Sequence, residues 1–191
     1  MDTVILKTDA LNMTEDEFFN FCQENEQLNL ERNSQGEIIV MEPAGCYTSM
    51  FNLKLATKIE MWNEETNAGY TFESSAGFTL PNKAVRTADV AWIKKERFEA
   101  IPEEEQKKFA HICPDFVIEL KSPSDSMKAL KRKMNEWIEN GCRLGWLVNT
   151  EEQKVYVFRI DGSIEVKSFA EKISGEDVLP GFELDLGFMS K

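Results

Sequence analysis

One short run constrains this chain more than any other. Phe116-Val117-Ile118 is apolar at consecutive positions, so as a strand it is apolar on both faces, and Glu119-Leu120-Lys121 follows without a break. A strand buried on both faces is a central strand of a covered sheet. Taking a carboxylate and an ammonium to the end of such a strand costs several kcal/mol unless each finds a partner. The charged pair is therefore expected to serve a purpose.

The flanking segments agree with a layered α/β domain. Ser122-Pro123-Ser124-Asp125 has turn and cap chemistry. A helix is predicted from there to Asn140, with Met127, Leu130, Met134, Trp137 and Ile138 inward and Gly141 ending it. Arg143–Asn149 reads as another apolar strand, and 154–160 with 163–169 as a hairpin about Asp161-Gly162. Upstream, Thr14 and Glu17 form a capping box for a helix over 14–27. Residues 36–41 read as a first strand. Phe51, Leu55, Ile59 and Trp62 mark one face of a helix over 48–63. Strands are predicted near 70–73 and 78–80, and as one alternating segment over 86–93. Residues 94–112 read as a charged loop with one helical turn, and Leu179–Leu184 as a last extended piece. With no repeat or linker in view, 1–191 reads as a single α/β domain with a mixed β-sheet flanked by helices.

Several classes are excluded. No apolar stretch approaches the roughly 18 residues of a membrane helix, and Met1–Lys7 lacks the features of a secretory leader. Cys22, Cys46, Cys113 and Cys142 form no C-x-x-C, and His111 is the sole histidine, which argues against structural zinc and histidine-dependent triads. Thiols without a visible leader suggest a reducing cytoplasm. The net charge of −12 is unusual for a nucleic-acid binder, but residues 128–143 carry +3 and the remainder −15. A polyanion would be held locally, along Lys128, Lys131 and Arg132 at i, i+3, i+4 on the predicted helix, or through a bridging metal.

The candidate chemistry lies at Asp89, Glu119 and Lys121. Glu119 and Lys121 are two apart on a strand and are expected to share a face. Asp89 can reach that face from a neighbouring strand about 4.8 Å away. Two carboxylates, with a backbone carbonyl such as that of Leu120, suit a hard cation such as Mg²⁺. Lys121 beside them would orient or deprotonate a metal-bound water. Glu-x-Lys occurs four times in the chain, and only this copy follows a continuous apolar run. Asp115 lies about 13 Å along the same strand from Glu119. It is expected to start the strand or bind backbone rather than share an ion.

At these residues the chain resembles the Uma-type restriction endonuclease family of the PD-(D/E)XK nuclease superfamily, over about residues 13–185. The resemblance rests on Met41-Glu42-Pro43, Ser75-Ala76-Gly77-Phe78-Thr79-Leu80-Pro81, Arg86-Thr87-Ala88-Asp89-Val90, the run Pro114–Asp125 and the block Lys133–Leu147. Ala88 stands where the motif has proline, and Cys46-Tyr47-Thr48 where many members have histidine. The resemblance implies a restriction-endonuclease-like core, Asp89 and Glu119 as metal ligands, Lys121 as catalytic lysine, and Mg²⁺ or Mn²⁺ as cofactor. It also suggests a helix-borne glutamate, Glu60 or Glu64. The function so implied is metal-dependent hydrolysis of DNA phosphodiester bonds, with a homodimer if both strands are cut symmetrically. Two other readings compete: a catalytically quiet interaction module of the same fold, and a metal hydrolase of small phosphate esters.

Overall fold

A computed structural model describes residues 4–6 and 13–189. The reading of Met1–Lys7 falls mostly outside them. The elements in chain order are β1 (Val4–Leu6), α1 (Glu15–Glu24), β2 (Asn29–Arg32), β3 (Ile38–Met41), α2 (Cys46–Thr66), β4 (Gly69–Glu73), β5 (Gly77–Thr79), β6 (Val85–Thr87) and β7 (Val90–Lys94). Then come α3 (Lys95–Glu99), α4 (Glu103–Gln106), β8 (Phe116–Leu120), α5 (Met127–Glu139), β9 (Leu144–Asn149), β10 (Lys154–Arg159), β11 (Ile164–Ser168), β12 (Ile173–Ser174) and β13 (Glu183–Leu184), with a 3₁₀ turn at Gly187–Met189.

A six-stranded sheet runs in the order β11-β10-β9-β8-β7-β4. Only β8 and β9 pair in parallel, joined by α5, so the sheet is mixed as expected. β8 is buried along its whole length, and its alternation sorts two cores. Phe116, Ile118 and Leu120 pack toward the α2 stripe of Phe51, Leu55, Ile59 and Trp62. Val117 packs toward Met134 and Trp137 of α5. Gly145 in β9 lets α5 lie close: a Cβ there would run into the Met134 Cε.

A second sheet, in the order β1-β3-β2-β6-β5, is antiparallel throughout and packs with α1 through Phe18, Leu30, Ile38 and Val85. The capping box of Thr14 and Glu17 is present on α1.

Three local expectations are corrected. β2 was not foreseen: Asn-Leu-Glu-Arg has no apolar alternation, and Glu31 and Arg32 are buried through charge and hydrogen-bond partners instead. The segment 86–93 is not one strand. It crosses from the second sheet (β6) to the first (β7) through Ala88 and Asp89. The charged loop 94–112 holds two short helices, α3 and α4.

Candidate active site

The β7–β8 register is antiparallel, with Val90 opposite Ile118. Continued by one residue, it sets Asp89 opposite Glu119 at the strand ends. Asp89 accepts two hydrogen bonds there, from the Leu120 N–H at 2.7 Å and from Asn52 Nδ2 on α2 at 2.6 Å. Glu119 turns toward α5. Its Oε1 accepts from the indole N–H of Trp137 at 3.0 Å, and the Lys133 ammonium lies 3.0 Å from Oε1 and 3.2 Å from Oε2.

The lysine facing this carboxylate is thus Lys133 and not Lys121. Strand parity would place Lys121 beside Glu119, but β8 ends at Leu120 and the Lys121 side chain goes to the loop after β9. The Lys121 ammonium pairs with Glu151 at 2.8 Å and with the Ser122 carbonyl. Among the described residues it makes no ion pair with Asp89 or Glu119. Leu120 itself buries its side chain on the α2 side and contributes its backbone to the site.

Lys133 also bridges to Glu31 of β2 at 2.9 Å, and Glu31 binds Arg86 at 2.8 Å and the Thr87 N–H at 3.1 Å. Arg86 continues to Glu136 of α5 at 2.6 Å. The side chains of Glu31 and Glu119 are 2% and 5% exposed, so this is an interior network. Four carboxylates (Glu31, Asp89, Glu119 and Glu136) face two cations, and Asp125 is near enough to disfavour charge on Asp89 as well.

Burial and crowding divide the ionisation of these groups. Burial raises Glu119, and the neighbouring Asp89 and Glu31 charges add to it. Against the pull of Lys133 and Trp137 its pKa stands at about 7. Burial also raises Asp89 above its ordinary value, against the Leu120 amide. For Glu31 burial opposes the charge, but Lys133 and Arg86 outweigh it and hold the pKa at about 2. Lys133 is disfavoured by burial and more than compensated by Glu119 and Glu31, so it stays charged.

A pH dependence follows. Glu119 binds its proton more tightly folded than at its ordinary 4.5, so its contribution to stability is full below that value and is lost as pH rises through about 7. Glu31 acts in the opposite sense, contributing above 4.5 and losing that contribution as pH falls through about 2. In metal-free protein, the melting temperature of Glu119→Gln minus that of wild type should therefore rise between about pH 5 and 8. A difference independent of pH would show that Glu119 is not a strained carboxylate.

The donor set fits a hard divalent cation. Among the described residues no group of three or more His, Cys, Asp or Glu converges as a metal site, so the oxygens beyond Asp89 and Glu119 would be neutral. The buried Asn52 Oδ1 has no hydrogen-bond partner. Its own amide group holds Asp89, so an unmatched acceptor lies beside the carboxylate pair. Carboxylate, amide and carbonyl oxygens are the ligand types that Mg²⁺ or Mn²⁺ takes.

The other sequence expectations divide. Asp115 accepts from the Lys94 N–H and pairs with Arg97, as a strand-starting, backbone-binding residue. Glu60 and Glu64 do not reach the pair; Glu60 meets Asn63 and Glu64 is exposed. The residue of α2 that meets Asp89 is Asn52. On α5, Lys128 and Arg132 are exposed, whereas the Lys131 ammonium lies over the Tyr156 ring at 4.4 Å. His111 pairs with Glu15 on the surface.

Comparison with known proteins adds the following. The chain matches the Uma2 family model, described as "Putative restriction endonuclease", over residues 15–187. Among solved structures it is similar to a "putative nuclease belonging to DUF820" from Anabaena variabilis. The TM-score is 0.74 at 19% identity, covering 93% of this chain and 97% of that one. At that identity the likeness concerns the fold. No curated protein matches the chain.

Proposed function

The chain belongs to the Uma2 restriction endonuclease family, and from that premise we propose that it is a metal-dependent endonuclease hydrolysing DNA phosphodiester bonds, with Asp89 and Glu119 as ligands of Mg²⁺ or Mn²⁺. The carrying observation is the pair of carboxylates at facing strand ends with the unmatched Asn52 oxygen beside them. The Leu120 carbonyl, next to the amide that holds Asp89, would complete the protein's share of the ligands.

When bound, such an ion lowers the pKa of a water and offsets charge on the phosphoryl oxygens. The chain's residues supply the positioning. Asn52 and the Leu120 amide fix both Asp89 oxygens. Trp137 and Lys133 fix the Glu119 carboxylate and leave it lone pairs to share. Four free thiols suit the reducing cytoplasm where such an enzyme would work. Among the described residues no helix is long and apolar enough to cross a membrane.

The test is plasmid nicking with Mg²⁺ or Mn²⁺ and its loss in EDTA. Calorimetric metal binding without nicking would turn the reading to a quiet interaction module or to a hydrolase of smaller phosphate esters.

In this reading α5 is the helix that meets DNA. With Lys131 engaged by Tyr156, Lys128 and Arg132 are the two cations open to phosphate. Replacing all three by Ala should flatten the salt dependence of DNA binding by about two log–log units, close to one per lost phosphate contact. An unchanged slope would assign them to solubility.

A further inference from the structure

Lys121 keeps one bond to the sheet, its N–H donating to the Val148 carbonyl at 2.9 Å. Beyond that its side chain belongs to a different place. Lys121, Tyr47, Phe51, Pro123 and Glu151 line a cleft of about 300 Å³ between the start of α2 and the loop after β9. Leu120 lines it too and donates its amide to Asp89, so the cleft adjoins the carboxylate pair. The first turn of α2 carries no acidic side chain.

The Lys121–Glu151 pair is asymmetric. The lysine side chain is 8% exposed and the glutamate 55%. A sequestered ammonium must keep a counter-anion, because leaving it bare costs far more than the pair itself gains. Glu151 has no such constraint, being half in water already. An incoming anion can therefore take its place on Lys121 while Glu151 swings into solvent. A backbone phosphodiester carries one negative charge, as the carboxylate does, so the exchange leaves the charge of the cleft unchanged.

We propose that this cleft is a subsite for a nucleic-acid backbone phosphate and that Glu151 is its internal occupant, displaced when a strand enters. The proposal rests on the nuclease reading for the identity of the strand, but its test needs neither metal nor cleavage.

The probe is a fluorescein-labelled twelve-nucleotide single-stranded DNA, followed by anisotropy in EDTA at fixed salt. Glu151→Gln removes the competitor and should tighten binding roughly five-fold, the factor expected for an ion pair with one partner in water. Glu152→Gln removes the same charge one residue away, from a side chain paired with Lys154 and Tyr156, and should change binding less than two-fold. In a Lys121→Met background Glu151→Gln should have no effect. Equal tightening by Glu151→Gln and Glu152→Gln would reduce the effect to bulk charge and overturn the proposal. So would a Glu151→Gln protein that melts lower yet binds the strand no tighter, for then Glu151 only pins its loop. Inorganic phosphate displacing the DNA at similar affinity would overturn the assignment to a strand in favour of a free-anion site. Tightening by Glu151→Gln without nicking in any metal would sink the nuclease reading and keep the subsite; nicking with unchanged binding would do the reverse.

Discussion

Lys133→Met should cost about 3–5 kcal/mol of folding stability, the range for removing one partner of a buried ion pair. Lys133 stands between Glu119 and Glu31 at 3.0 and 2.9 Å, and both carboxylates are nearly sealed from water. Without it Glu31 still has Arg86, but Glu119 keeps only the Trp137 indole against the charges of Asp89 and Glu31. Methionine fills the volume of the stem and supplies no charge, so the loss is electrostatic. For a domain of this size the melting temperature should fall by about 6–20 °C. Lys128→Met, on the exposed side of the same helix, should fall by no more than about 2 °C. Equal effects of the two would show that the network contributes nothing.

The second large effect concerns the metal. Asp89→Asn and Glu119→Gln should each abolish calorimetrically detectable Mn²⁺ binding and lower plasmid nicking by at least about 10²-fold, since even outer partners of metal ligands are worth about 10–100-fold. Asn52→Ala, which removes both the hydrogen bond to Asp89 and the unmatched oxygen, should fall between these and wild type. Wild-type Mn²⁺ affinity in either carboxylate variant would remove that residue from the site.

The parts of the site legible in the sequence are those governed by strand periodicity. Asp89 and Glu119 each follow or precede apolar strand residues, and the two-residue period carries them to facing positions. The same rule sets Lys121 beside Glu119, whereas its ammonium is held by Glu151 in the loop after β9, at the end of the strand where parity no longer governs the side chain. Lys133 enters the sequence reading only through the +3 charge of residues 128–143 and the block Lys133–Leu147, neither of which gives it a place in the site. Its position gives it away in retrospect: three after Leu130 and four before Trp137, it lies on the inward stripe of α5. Nothing local marks Glu31. It is buried because Arg86 and Lys133 arrive from 55 and more residues away. Asn52 was overshadowed by the glutamates further along α2, which lie beyond the point where that helix passes Asp89.

The passage of the chain between sheets at Ala88 and Asp89 couples the two sheets through the site. Each sheet can form its own strand pairs alone, but Asp89 sits at the seam, and Glu31 reaches Lys133 only once the two have docked. The sequence separation is large, so contacts across this seam carry a high loop-closure cost. A half-folded or nascent chain would hold Glu119 and Lys133 on neighbouring elements without Glu31 to balance them. The Glu31–Lys133 bridge is thus a mark of the docked state of the two sheets.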